Sequence, residues 1–106
     1  MQKLIFVILM VLIGTSVMCA GGVKSPGKST FRENCVFCHG EDGTGKTPPG
    51  IALRAHNLTS PEVGKKTDAE LQQTIIQGRN KMPPFATKLD ENQIHDLILY
   101  IRTLQK

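Results

Sequence analysis

The chain has 106 residues and a mass of 11.6 kDa, which is room for one domain and excludes a two-domain enzyme, a long repeat array or a multi-span membrane protein. Apolar residues make up 40% and charged residues 21%, too apolar a balance for a disordered chain, yet four Phe, one Tyr and no Trp leave only a thin core. The net charge of +4 comes from lysines scattered singly apart from Lys65-Lys66, with no arginine-rich stripe, so nucleic-acid binding is not expected.

The first segment reads as a targeting signal. Lys3 is followed by the uncharged run Leu4-Ile5-Phe6-Val7-Ile8-Leu9-Met10-Val11-Leu12-Ile13, the basic and apolar regions of a secretory signal peptide. Ala20 and Gly22 stand at the −3 and −1 spacing a signal peptidase needs. Cleavage there divides the chain into a signal over residues 1–22 and one domain over residues 23–106, and it removes Lys3 and Cys19. Two rival readings stand beside cleavage after Gly22. Residues 4–23 carry no charge and are long enough to act as a retained anchor. Cys19 is a lipidation site on the third reading, although the bulky Met18 before it suits a lipoprotein signal poorly. All three place the domain in the periplasm or another compartment outside the cytoplasm, and membrane contact is expected only if the segment is retained or Cys19 lipidated.

Three helices are predicted in the rest of the chain, with no strand-like alternation, so the fold class is all-α. The first covers residues 26–38, with Ser25 as N-cap and Pro26 at the first helical position. Gly27, Phe31 and Cys35 share one of its faces. The second covers residues 68–77, opened by the capping box Thr67-Asp68-Ala69-Glu70 and closed by Gly78. The third covers residues 91–104. Asp90 caps it, Gln93 closes its box, Leu89 staples onto Ile94, and Ile94, Leu97, Ile98, Ile101 and Leu104 form an apolar stripe flanked by Leu99 and Tyr100. Residues 40–67 read as one long irregular segment rich in Gly and Pro. Such a loop is unusual in so small a domain and becomes reasonable if it wraps something that is not protein.

The chemistry lies in Cys35-Val36-Phe37-Cys38-His39, the C-x-x-C-H pattern of c-type haem attachment. Two thiols one helical turn apart can each add to one of the two neighbouring vinyl groups of a haem. His39 is then held under the ring, where an imidazole nitrogen can reach the iron. A thioredoxin-like redox site requires the pair to follow a strand in a βαβ setting, which the sequence lacks. A zinc site from Cys35, Cys38, His39 and His56 has an awkward adjacent Cys-His chelate. A Cys35–Cys38 disulfide closes too small a loop to stabilise much.

A second axial ligand comes from a short list. Met82 stands in Gly78-Arg79-Asn80-Lys81-Met82-Pro83-Pro84-Phe85, a loop that its two prolines stiffen without regular hydrogen bonding. The competing role for Met82 is core filler. His56 is a fallback ligand in the wrapping loop, and His95 is expected at the surface of the third helix. Residues 40–47, Gly-Glu-Asp-Gly-Thr-Gly-Lys-Thr, also match the nucleotide-binding P-loop pattern. That match is rejected. No strand precedes it, Pro48-Pro49-Gly50 is read as stopping any helix that begins at Thr47, and Glu41 and Asp42 would repel phosphate. The glycines are better explained as tight-turn positions where backbone passes close to haem.

These residues resemble the class I, monohaem, bacterial-type cytochromes c over roughly residues 26–104. The resemblance rests on Cys35–His39 followed by Gly40, Gly43 and Gly45, on Asn57-Leu58-Thr59, on Gly78 to Pro83, and on the final helix ending Tyr100-Ile101-Arg102-Thr103-Leu104. It implies three main helices and loops wrapped around one covalent haem. Cys35 and Cys38 would form the thioethers, and His39 and Met82 would be the axial iron ligands. Gly27, Phe31 and Tyr100 would stand at the crossing of the first and last helices. It also implies a one-electron carrier of the respiratory-chain type, with no catalytic residue, working as a monomer. Lys24, Lys28, Lys46, Lys65, Lys66, Lys81 and Lys88 are candidates for a basic rim that meets acidic redox partners. Two other functions stay open: a haem enzyme or gas-binding domain with a displaceable Met82, and a haem subunit bound permanently to a larger dehydrogenase or oxidase.

Overall fold

The computed structural model describes residues 25–105. The targeting segment, with its anchor and lipid alternatives and the boundary at residues 22 and 23, lies outside the described residues. Among the described residues there are six helices and no strand: α1 (Pro26–Asn34), α2 (Val36–His39), α3 (Pro48–Leu53), α4 (Pro61–Gly64), α5 (Asp68–Gln77) and α6 (Glu91–Thr103).

The two predicted capping boxes are formed. Thr67 Oγ1 accepts from the Glu70 N–H at 3.1 Å and Glu70 Oε2 accepts from the Thr67 N–H at 2.7 Å, so α5 begins where its sequence says. Asp90 and Gln93 do the same for α6, at 2.8 and 2.9 Å. Leu89 and Ile94 are both buried in the core, as a hydrophobic staple requires.

The first predicted helix is divided. Within α1, Asn34 Nδ2 donates to the Thr30 carbonyl at 2.9 Å and Thr30 Oγ1 to the Pro26 carbonyl at 3.3 Å, while the Cys35 N–H still donates to the Phe31 carbonyl at 2.8 Å. Cys35 joins the two pieces: it keeps to the right-handed helical region with φ widened to −117° (ψ −30°), and a separate short turn begins at Val36. Ser25 occupies the N-cap of α1, but its side chain makes no capping bond.

The wrapping segment is also more regular than expected. Thr47 and Ser60 each cap a short helix that starts on a proline, α3 at Pro48 and α4 at Pro61. The expectation that Pro48-Pro49-Gly50 blocks a helix was therefore wrong. At the first helical positions a missing N–H has no partner to lose, and Thr47 Oγ1 satisfies the Gly50 N–H at 3.0 Å.

The core lies where α1 crosses α6. Phe31 is 0% exposed and Leu97 1%, and the rings of Phe31 and Tyr100 meet at 5.2 Å, tilted by 56°. A Cβ on Gly27 would stand 2.0 Å from the Asp96 carbonyl oxygen, so the helices cross at a distance only glycine permits. Leu71 and Ile75 of α5 and Phe85 of the following loop extend the core. Leu99 does not join the stripe of α6; it is 52% exposed.

Candidate functional site

α2 gathers three of the predicted site residues on one turn. Cys35 is its N-cap, and Cys38 and His39 are its last two residues. Both thiols are free of disulfide and half-buried. Burial, and then the neighbouring Cys38 thiol, push Cys35 up to about 12, so it stays protonated at neutral pH in this packed state.

His39 is also half-buried, and its Nδ1 lies 3.0 Å from the His56 carbonyl oxygen. A carbonyl only accepts, so Nδ1 carries the proton and Nε2 is left with its lone pair. Burial holds the imidazole below its usual pKa; the bond to His56 opposes that in part. The net result is a neutral, oriented imidazole, which is the form that binds a metal.

The loop after His39 is built from three positive-φ glycines, Gly40, Gly43 and Gly45. The Gly45 N–H donates to the His39 carbonyl at 2.7 Å, which turns the chain straight back over α2. At Gly45 the close neighbour is the chain itself, since a Cβ there would stand 2.7 Å from the Ala55 carbonyl oxygen. Asp42 Oδ1 accepts from the Thr44 N–H at 3.0 Å and its hydroxyl at 2.8 Å. These bonds hold the Asp42 carboxyl below its usual range. A helix precedes this loop, and a carboxylate occupies the Thr44 amide that a phosphate would need.

Met82 comes from the loop between α5 and α6. It is half-buried and packs against the same hydrophobic core as Cys35. Its rigidity comes from more than the prolines. Met82 and Arg79 exchange two backbone hydrogen bonds, 2.9 and 3.1 Å, across a turn in which Asn80 takes φ 54°, and the Phe85 N–H ties the loop to the Ile75 carbonyl at 2.9 Å.

Two features were not foreseen. The His56 side chain is exposed, and the residue meets His39 through its backbone carbonyl. Nothing in a sequence marks which carbonyl an imidazole will meet. Phe37 and Ile51 are 74% and 67% exposed, although Phe37 lies inside the attachment motif itself. His95 is exposed, as expected.

This donor set fits a covalently attached haem: two unpaired thiols at the N-cap and end of one turn, a neutral imidazole with its outer nitrogen already engaged, and a soft thioether on the apolar core. A family model described as Cytochrome C oxidase, cbb3-type, subunit III matches residues 23–101. The chain belongs to the cytochrome c family. It is 31% identical over 83 residues to the cbb3-type cytochrome c oxidase subunit FixP of Rhizobium etli, covering 78% of this chain and 28% of that one. It is 31% identical over 75 residues to cytochrome c6 of Leptolyngbya boryana, covering 71% of this chain and 85% of the relative. Among solved structures it resembles the KustC0563 c-type cytochrome, at a TM-score of 0.70 and 29% identity over 76% of this chain and 98% of that one. This cytochrome domain is all-α, carries a covalently bound haem c with its iron, and transfers electrons. It spans little more than a quarter of the length of the FixP and CcoP relatives it matches, 28% and 27% in the first two.

Proposed function

We propose that the chain is an exported one-electron carrier in which Cys35 and Cys38 hold the haem through thioethers and His39 and Met82 cap its iron. The supporting observation is the His39 Nδ1 to His56 carbonyl bond, which leaves Nε2 with its lone pair as a metal donor on the same turn that bears both thiols. When bound, the haem supplies an iron that changes oxidation state by one electron. The chain's residues set the conditions for that change. The Met82 thioether is soft and favours the ferrous state over what a second imidazole would give, so a high potential is expected. The apolar core beside Cys35 and Met82 keeps water from the site and disfavours added positive charge, in the same direction.

No catalytic residue is assigned. The proposed partners are redox proteins with acidic faces, drawn by exposed Lys28, Lys46, Lys65, Lys81 and Lys88, and the domain is proposed to act as a monomer outside the cytoplasm after loss of residues 1–22. Among the described residues no helix is long and apolar enough to cross a membrane. A second reading has support in the relatives: FixP and CcoP are named as oxidase subunits, so a haem subunit held on a larger oxidase is the alternative.

The test is the mass and visible spectrum of the native protein, with its size in gel filtration. A red protein of residues 23–106 plus one haem, showing the far-red band of methionine-ligated ferric haem and eluting alone, is expected. A colourless chain removes the proposal, and co-elution with an oxidase selects the alternative.

A further inference from the structure

Resting on the reading of His39 as an iron ligand, we propose that Gln105, at the far end of the chain, is a positioning residue for that ligand. Its amide latches the segment whose His56 carbonyl accepts from His39 Nδ1, and so sets how electron-rich the imidazole is.

The His56 carbonyl belongs to no helix. It lies between α3 and α4, in a stretch that leaves α3 through Arg54 at φ 56°. Its position therefore depends on what holds its neighbours. Upstream, the Ala55 N–H donates to the Gly50 carbonyl at 2.8 Å. Downstream, Asn57 Oδ1 accepts from the Thr59 N–H at 2.9 Å and the Thr59 hydroxyl at 2.7 Å, closing a tight side-chain turn. The Leu58 N–H donates to the Gly43 carbonyl at 2.7 Å.

Gly43 and Gly50 belong to the same wrapping region as the segment they hold, so those bonds do not tie it to α6; Arg102 ties the region farther along, at the Gly64 and Lys66 carbonyls, and the Leu58 side chain packs on the core. Gln105 differs. Its Nε2 donates to the Leu58 carbonyl, and it stands just after Leu104, the C-cap of α6, the helix that supplies Ile94, Leu97, Ile98 and Ile101 to the core. The end of α6 is itself fixed. Arg102 donates to Asp68 Oδ1 at 3.0 and 2.8 Å and also to the Gly64 and Lys66 carbonyls. The latch thus refers the His56 carbonyl to the rigid core.

The chemistry follows from this. A firmly placed acceptor keeps the Nδ1–H···O=C bond short, shifts negative charge onto the imidazole and raises its basicity as a ligand. That favours the ferric state. Releasing the latch lets the acceptor wander, weakens the bond, and moves the balance toward ferrous iron.

The test uses holoprotein carrying Gln105→Leu, which keeps bulk and removes the donor, and Asn57→Ala, which opens the turn next to His56; Asn57→Asp keeps the acceptor. Three readouts are taken: the far-red band of the oxidised protein, solvent exchange of the His39 ring N–H in the reduced protein by NMR, and the midpoint potential. All variants should keep the band. Gln105→Leu and Asn57→Ala should exchange the ring proton about tenfold faster, and Asn57→Asp should not. At the wild-type midpoint both loosened variants should hold about threefold more ferrous than ferric iron. If Gln105→Leu fails to retain haem, Gln105→Glu, which keeps the shape and removes the Nε2 donor to the Leu58 carbonyl, decides in its place. Wild-type exchange and potential in the loosened variants, with the band intact, overturn this inference and leave the ligand assignment standing. Absence of the band in the wild-type protein overturns the ligand assignment itself, and this inference with it.

Discussion

Met82 and His39 reach their places by different means. His39 is fixed by a side-chain bond of 3.0 Å to a backbone carbonyl, whereas Met82 is fixed through its own backbone, by the two bonds it exchanges with Arg79. A thioether held in this way leaves its flexible stem to the core around it. Met82→Ala should keep the covalent haem but open one side of the iron. The far-red band should vanish, cyanide or carbon monoxide should bind quickly, and the midpoint potential should fall by on the order of 0.1 V, within the range of about 0.8 V that axial ligands span. A retained band with unchanged potential would show that Met82 is only core filler. At this scale the sequence was legible for the attachment motif, and it singled out Met82 as the proposed second ligand by the prolines that follow it. It was silent on His56, whose part is played by a backbone atom.

The elements depend on close approaches and caps. A methyl group on Gly27 would sit 2.0 Å from the Asp96 carbonyl oxygen and 2.9 Å from Tyr100 Cβ, neither of which is a flexible side-chain end. Gly27→Ala should therefore cost at the upper end of the about 1–3 kcal/mol usual for overpacking, read as a lower unfolding midpoint of the holoprotein with its spectrum unchanged. The cap of α5 makes a pH prediction. Hydrogen bonds from the Thr67 backbone and side chain, with Lys66 nearby, hold the Glu70 carboxyl below its ordinary 4.5. A carboxyl depressed by folding stabilises above its unfolded pKa, and that contribution is lost as pH falls through the folded value. The Thr67 and Glu70 amide resonances should thus shift with a midpoint below 4.5. Glu70→Gln, which keeps the acceptor and removes the charge, should abolish that titration. Persistence of the shift in the variant would assign it elsewhere.

For the whole molecule, the limiting quantity is apolar mass. Among the described residues ten hydrophobic ones are buried, with only Phe31 and Phe85 aromatic among them, and α2, α3 and α4 contribute just Val63. Short helices of this kind are not stable alone. Chain in which both attachment cysteines are changed to alanine should accordingly show a mostly unfolded far-ultraviolet dichroism spectrum, because the haem supplies the missing core. A fully helical spectrum from that protein would contradict this account. The long stretch from Gly40 to Thr67 makes sense on the same ground. It folds back over α2 through the bonds of Gly45 to His39 and of His39 to His56, which places chain around the attachment turn.

The amino-acid order by itself determined α5 and α6, whose capping boxes and apolar spacing are local signals read within a few residues. It also determined the attachment motif, because two thiols and an imidazole on one turn need no distant partner. Only the tertiary structure decided the rest: the break at Cys35, the proline-started helices α3 and α4, the exposure of Leu99, and the carbonyl that orients His39. The carbonyl that orients His39 depends on which backbone groups meet across the fold, and backbone groups are the same at nearly every position, so the sequence carries no mark of that pairing. Leu99 lies on the uncovered side of α6, and α3 and α4 rest on the local caps Thr47 and Ser60, whose signal is outweighed when the prolines after them are read as helix breakers.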